Sequence, residues 1–168
     1  MNNILNFDDF SADINTTGSV SIGSSTSGNI ETAGDMDWFS VYLTSGNTYQ
    51  FDATESDYYL DLDMYLRDSN GVSLAYGDDY GSTDDPRITY TATYTGYHYL
   101  DIADYWLTYT GSYVVEASAV DDFSSNIYTS GSVSIGSSSS GNIESAEDTD
   151  WFKVYLISGT TYQFDATE

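Results

Sequence analysis

Cysteine is absent from this 168-residue chain, histidine occurs once as His98, and Lys and Arg together number 3 against 27 Asp and Glu. Without cysteine there can be no disulfide, no thiolate nucleophile and no cysteine-ligated zinc or iron–sulfur site, and a single histidine excludes multi-histidine metal centres. The formal net charge of -24 excludes nucleic acid, heparin-like polymers and anionic membranes as natural partners. No apolar run approaches the roughly 18 residues of a membrane span, so membrane insertion is not expected. The first six residues carry no basic stretch, and Asp8-Asp9 stands where the apolar part of a secretion signal would be needed. Catalytic signatures are missing too. There is no Gly-x-Ser-x-Gly elbow, no phosphate-cradling loop followed by lysine, and the one lysine, Lys153, stands where the first copy of an internal repeat has Ser40. His98 alternates in phase with Leu100 and Ile102, the pattern of a core ring rather than of a general base. The chain reads as non-catalytic.

What is abundant points to a folded domain that attracts cations. Hydrophobic residues make up 40% and aromatics 16%, with 17 tyrosines, too much apolar surface for a disordered acidic tail and enough for a packed core. Stabilisation by a bound metal is the expectation for so acidic a chain without disulfides, and a ligand set restricted to oxygen points to calcium, Ca2+.

Residues 8–55 recur as residues 121–168 at a constant offset of 113, with 37 identities in 48 positions. Asp8-Asp9-Phe10-Ser11 returns as Asp121-Asp122-Phe123-Ser124, and Asp37-Trp38-Phe39 as Asp150-Trp151-Phe152. The expected organisation is one complete repeat over residues 7–120 and the N-terminal part of a second over residues 121–168, within a longer, tandemly repeated gene product.

Within one unit the apolar period is 2. Phe39/Val41/Leu43, Tyr49/Phe51/Ala53, Leu60/Leu62/Met64/Leu66, Ile88/Tyr90/Ala92, His98/Leu100/Ile102 and Tyr113/Val115/Ala117 alternate with polar residues and predict half-buried strands. Ser45-Gly46-Asn47, Asp68-Ser69-Asn70-Gly71, Thr95-Gly96 and Thr110-Gly111 supply the turns between them. Eight or nine short strands predict an all-β, antiparallel β-sandwich with jelly-roll-like or Greek-key connections. The Val20/Ile22 and Val133/Ile135 alternations place the Ser/Thr/Gly-rich segments 15–28 and 128–141 inside the domain as edge strands and turns rather than as linkers.

The ordered series Asp8-Asp9, Gly28-Asn29-Ile30-Glu31, Gly34-Asp35-Met36-Asp37-Trp38-Phe39, Gly46-Asn47-Thr48-Tyr49, Leu62-Asp63-Met64-Tyr65-Leu66, Asp78-Asp79, Arg87-Ile88-Thr89-Tyr90 and Gly96-Tyr97-His98-Tyr99-Leu100 resembles the bacterial pre-peptidase C-terminal domain family. The resemblance spans residues 8–118 and the start of the second copy. It implies a jelly-roll-like sandwich found after the catalytic domains of secreted peptidases and, in tandem, in other extracellular bacterial proteins. In the related collagen-binding domains of secreted collagenases calcium sits between the domain start and the acidic loop before the Asp-aromatic strand. The matching positions here are Asp8, Asp9, Asp35 and Asp37, and Asp121, Asp122, Asp148 and Asp150 in the second copy.

Calcium chemistry agrees, since six to eight oxygens at about 2.3–2.6 Å require carboxylates from separate segments. The plain alternative is that these are solvated turn residues. A second candidate joins Asp61 and Asp63, read as lying on the outer face of a strand, to the loop acids Asp78 and Asp79 with Asp84 and Asp85. Tyr97 and Tyr99, with Tyr58, Tyr65, Tyr105, Trp106 and Tyr109, form either a platform for sugar rings or a protein surface, or cross-strand pairs that stabilise the sheet. The resulting expectation is an extracellular or cell-surface, calcium-stabilised sandwich with a structural or adhesive role. Its expected partners are copies of itself in head-to-tail repeats or a filament, and polysaccharide or an extracellular matrix protein. The alternative is an accessory domain of a secreted peptidase that binds substrate or assists secretion.

Overall fold

The structure is a computed structural model that describes residues 7–56, 59–81, 83–146 and 148–167. Tyr58, one of the candidate surface aromatics, lies outside the described residues. The chain divides into two compact units, Met1–Val120 and Asp121–Glu168.

Ten strands run through the described part of the first unit. In chain order they are β1 (Gly18–Ser19), β2 (Ser24–Ile30), β3 (Met36–Leu43), β4 (Thr48–Glu55) and β5 (Leu62–Arg67). They continue with β6 (Ser73–Gly77), β7 (Asp79–Tyr80), β8 (Thr83–Thr91), β9 (Gly96–Asp104) and β10 (Gly111–Ala119). Two five-stranded sheets result, ordered β1-β3-β9-β5-β6 and β2-β10-β4-β8-β7. The fold is an all-β sandwich.

Each long strand forms because every second residue has an apolar face to bury. Phe39, Val41 and Leu43 on β3, Met64 and Leu66 on β5, and Leu100 and Ile102 on β9 point inward from the first sheet, and all are buried. Phe51 and Ala53 on β4 and Tyr113, Val115 and Ala117 on β10 meet them from the second. Phe39 ties the layers together. Its ring lies 4.8 Å from Phe10 in the leading segment and 6.2 Å, edge-on, from Tyr113 of the opposite sheet.

One pairing departs from the antiparallel expectation, since β1 runs parallel to β3 through Gly18↔Phe39 and Ser19↔Ser40. The edge strand expected around Val20 and Ile22 is only these two residues long. Val20 N–H donates to the Ser40 carbonyl at 3.1 Å, and the chain then turns at Gly23, whose φ of 81° suits glycine, to enter the second sheet as β2.

His98 is fully buried opposite Val41, its ring stacked 4.3 Å from Tyr94 and its Nδ1 3.1 Å from the Gly96 carbonyl. Set beside Tyr90 and Tyr94, it serves as a core ring. Arg67 lies under Trp38 and Tyr65, 5.0 and 5.1 Å from their centroids, and pairs with buried Asp101 at 2.7 Å.

The second unit repeats the local geometry of the first without its ladders. Thr129 Oγ1 donates to the Trp151 carbonyl at 2.9 Å as Thr16 does to Trp38 at 2.7 Å, and Phe123 lies 4.8 Å from Phe152 as Phe10 does from Phe39. Yet among its described residues the only sheet pairing is an isolated Ser132↔Lys153 bridge. In the first unit β2 and β4 pair with β10, and β3 with β9. The segments of residues 121–168 that correspond to β2, β3 and β4 carry no such ladders among the described residues.

Candidate functional site

Three separated stretches bring carboxylates to one end of the first sandwich. Asp8 and Asp9 precede Phe10, whose packing on Phe39 anchors the leading segment. Glu31 follows the last residue of β2. Asp35 sits in a turn closed by its own N–H donating to the Thr32 carbonyl at 3.0 Å, and Asp37 is the second residue of β3. Asp8, Glu31, Asp35 and Asp37 each place a carboxylate oxygen within 4.8 Å of the others. Asp9 lies against this group, beside the Asp37 carboxyl and the Asn29 backbone.

The local bonds shape the cluster. Asp35 accepts from the Glu31 N–H at 2.9 Å through Oδ2 and from the Met36 N–H at 3.0 Å through Oδ1. Asp37 is fully buried; its Oδ2 accepts a hydrogen bond from the Tyr113 hydroxyl, whereas its Oδ1 has no partner. Glu31 Oε2 is likewise buried without a partner. Burial pushes the Asp37 carboxyl up to about 8, with Tyr113 opposing that rise and Asp9, Asp35 and Glu31 adding to it. Glu31 is raised to about 7, first by burial and then by Asp35 and Asp9. Such a site favours a cation, because uncompensated acids crowded together must otherwise take up protons.

The second unit builds a related constellation, in which Asp122, the counterpart of Asp9, takes the place that Asp35 has in the first. Asp121, Asp122, Glu144 and Asp150 hold oxygens within 4.8 Å of one another. Asp148 accepts from the Glu144 N–H at 2.9 Å, the counterpart of the Asp35–Glu31 bond, and so acts as the brace of the turn. The orphaned buried atoms are again the matching ones, Glu144 Oε2 and Asp150 Oδ1. Burial, with Asp148 and Asp122 adding, raises Glu144 to about 7.

Sequence reasoning omits Glu31 and Glu144, which join both clusters. The available signal is Gly28-Asn29-Ile30-Glu31, repeated without change as Gly141-Asn142-Ile143-Glu144. Of the other acidic candidates, Asp61, Asp78 and Asp79 come within 4.8 Å of one another, and Asp61 accepts from the Trp106 indole at 2.8 Å. Asp63 does not join them. It is half-buried on β5, and burial together with nearby Asp101 raises it to about 6. Glu55 N–H donates to Asp85 Oδ1 at 3.1 Å, a bond that anchors Asp85 to β4. Among the aromatics, Tyr97 pairs edge-on with Tyr42 at 5.3 Å and both are exposed, Tyr99 is half-buried beside Trp38, and Tyr105, Trp106 and Tyr109 are exposed.

The fold and the acidic end define a two-sheet β-sandwich module with carboxylates gathered beside its first long strand. Residues 35–104 of the 168 match the family model of the bacterial pre-peptidase C-terminal domain. Among solved structures the chain is similar to the pre-peptidase C-terminal domain of a collagenase from Bacillus anthracis, at 17% identity and a TM-score of 0.50, covering 60% of this chain and 92% of that one. It is also similar to a periplasmic inhibitor of g-type lysozyme from Aeromonas hydrophila, at 9% identity and a TM-score of 0.47, covering 61% of this chain and 96% of the other. A Yersinia pseudotuberculosis-derived mitogen matches at 16% identity and a TM-score of 0.45, covering 61% and 89%. At these identities the likeness to solved structures concerns the fold. No curated protein matches the sequence. Among the described residues no helix is long and apolar enough to cross a membrane.

Proposed function

We propose that this chain is a non-catalytic, extracellular sandwich module whose acidic clusters hold calcium, and that it serves as a structural or adhesive unit. The observation that carries the calcium assignment is the buried, partnerless Asp37 Oδ1 among Asp8, Glu31 and Asp35, repeated by Asp150 Oδ1 among Asp121, Asp122 and Glu144. A buried carboxylate oxygen without a donor is costly, and a hard divalent cation with an all-oxygen preference relieves that cost. Asp8, Glu31, Asp35 and Asp37 would hold the ion in the first unit, and Asp121, Asp122, Glu144 and Asp150 in the second. Bound there, calcium would neutralise the like charges and join the leading segment to the start of β3.

Isothermal titration with calcium tests the assignment. The expected result is saturable binding that is lost at the first site in Asp37→Asn, with a melting temperature raised by calcium well beyond the effect of sodium at equal ionic strength. Binding at 100 times the dissociation constant contributes about 2.7 kcal/mol per site. Identical melting curves in chelator and in millimolar calcium would remove the assignment. For the role, repeated modules on a surface protein or filament bind one another or a polysaccharide or matrix protein. The family match supports a second reading, an accessory domain of a secreted peptidase. The full reading frame separates them: further 113-residue copies favour the first, a flanking peptidase domain the second.

A further inference from the structure

Asp37 and Tyr113 are both fully buried and stand on opposite sheets, on β3 and β10, 76 residues apart. The hydroxyl of Tyr113 crosses between the layers to Asp37 Oδ2. Room for it comes from β2, where Gly28 lies directly opposite Tyr113 in the ladder and a Cβ would overlap the hydroxyl. The missing side chain at residue 28 makes room for the ring and its hydroxyl alike, whereas a phenylalanine ring would fill the core equally well, so the hydroxyl itself serves the carboxylate rather than the packing.

We infer that Tyr113 is the positioning residue of the first acidic cluster, fixing the Asp37 carboxylate for a cation and thereby coupling cation occupancy to strand β10. The inference rests on the calcium assignment above. With Oδ2 committed to Tyr113, Oδ1 is the one free oxygen of Asp37, and the carboxylate does not have to be ordered when a cation arrives. Coupling is reciprocal: whatever factor the hydroxyl contributes to cation affinity, the cation returns to the β3–β10 contact. That contact has leverage because β10 joins β2 to β4 in the second sheet. A leading-segment ion is thus sensed at a strand more than 70 residues downstream of its ligand on β3.

The test uses the full chain carrying Glu144→Gln and Asp150→Asn, so that only the first cluster reports. Calcium affinity is measured by titration calorimetry, and β10 amide exchange is followed with and without saturating calcium, in this parent and with Tyr113→Phe added. The expected result is affinity weakened about 10- to 100-fold by Tyr113→Phe, the range for loss of a group that orients a metal ligand. Calcium should slow β10 exchange in the parent and leave it nearly unchanged, at saturation, in Tyr113→Phe. A purely structural tyrosine would lower stability without changing either calcium readout, and that outcome overturns the inference while leaving the calcium assignment intact. If Tyr113→Phe does not fold, Gly28→Ala, which displaces the ring from Asp37, must give the same two changes. No calcium binding by the parent would overturn both the assignment and the inference.

Discussion

Asp37→Asn should make the calcium-free protein more stable at alkaline pH, the opposite of what removing a buried partner usually does. In the folded chain Asp37 is raised from 3.8 to about 8 by burial, with a further contribution from Asp9, Asp35 and Glu31. A group whose folded pKa lies above its unfolded one binds more protons when folded, so stability falls as pH rises through that interval. The Asp37 penalty is absent below about 3.8 and complete above about 8. The interval corresponds to a ceiling of about 6 kcal/mol, reduced in practice as the cluster relaxes and water enters. Asparagine keeps the shape and still accepts from Tyr113, but it brings an amide with no partner, a cost of about 1–3 kcal/mol. The larger effect decides the sign: in chelator at pH 8.5 the variant should unfold at higher urea than wild type, and the advantage should disappear by pH 6. His98 works in the opposite direction only below its ordinary range, since burial lowers it, and it is common to both proteins. Calcium should reverse the order at pH 8.5 by stabilising wild type alone. Equal urea midpoints at both pH values, or a chelated wild type whose stability is flat between pH 6.5 and 8.5, would refute the electrostatic account.

Two further changes probe the sandwich itself. Arg67→Met leaves Asp101, 4% exposed, without its 2.7 Å partner, and should cost about 3–5 kcal/mol, most of it recovered by adding Asp101→Asn; urea midpoints of the two variants check this, and a double variant as unstable as the single would contradict it. His98→Phe should abolish a loss of stability that wild type shows below about pH 6.5, because a lowered folded pKa means that protonation on acidification favours the unfolded chain. Thermal melts at pH 5 and 7 read that difference, and the same acid loss in the phenylalanine variant would show that other groups cause it.

The strands legible in the sequence are those that bury one face. β3, β4, β5, β9 and β10 announce themselves because Phe39, Phe51, Met64, Leu100 and Val115 recur with their neighbours at period 2 and line one core. β6 and β7 give no such signal. They lie at sheet edges, and Ser73, Leu74, Asp79 and Tyr80 are all exposed, so burial imposes no alternation on them. The acidic end is partly legible because Asp8, Asp35 and Asp37 stand in short, recurring clusters. Glu31 escapes because its neighbours in space come from the leading segment and the following turn, while in sequence it is a single acid after an apolar residue. Asp63 shows the converse: lying two residues from Asp61 does not bring it into the Asp61, Asp78 and Asp79 group, because Asp61 precedes β5 whereas Asp63 belongs to it.

Residues 121–168 separate what short-range sequence specifies from what the rest of a sandwich must add. Turns, hydroxyl caps and the Phe123–Phe152 contact form there with the geometry of the first copy, and a carboxylate cluster forms with three of its four positions in common. These features depend on residues within about one strand-turn-strand stretch, and 37 shared identities are enough to reproduce them. Ladders and burial do not follow. Phe51 is fully buried on β4 between β10 and β8, whereas its counterpart Phe164 is 58% exposed. Asp37 is fully buried with Tyr113 as its donor, whereas its counterpart Asp150 is only half-buried. The acids are therefore gathered locally, while the burial that makes Asp37 costly to leave charged comes from the later strands. A carboxylate cluster becomes a selective cation site when its oxygens are both collected and withdrawn from water. In this fold residues 8–37 do the collecting, and the full burial of Asp37 is reached where Tyr113 of the closing strand covers it, whereas in residues 121–168 single oxygens of Glu144 and Asp150 are buried but Asp150 as a whole stays half-exposed.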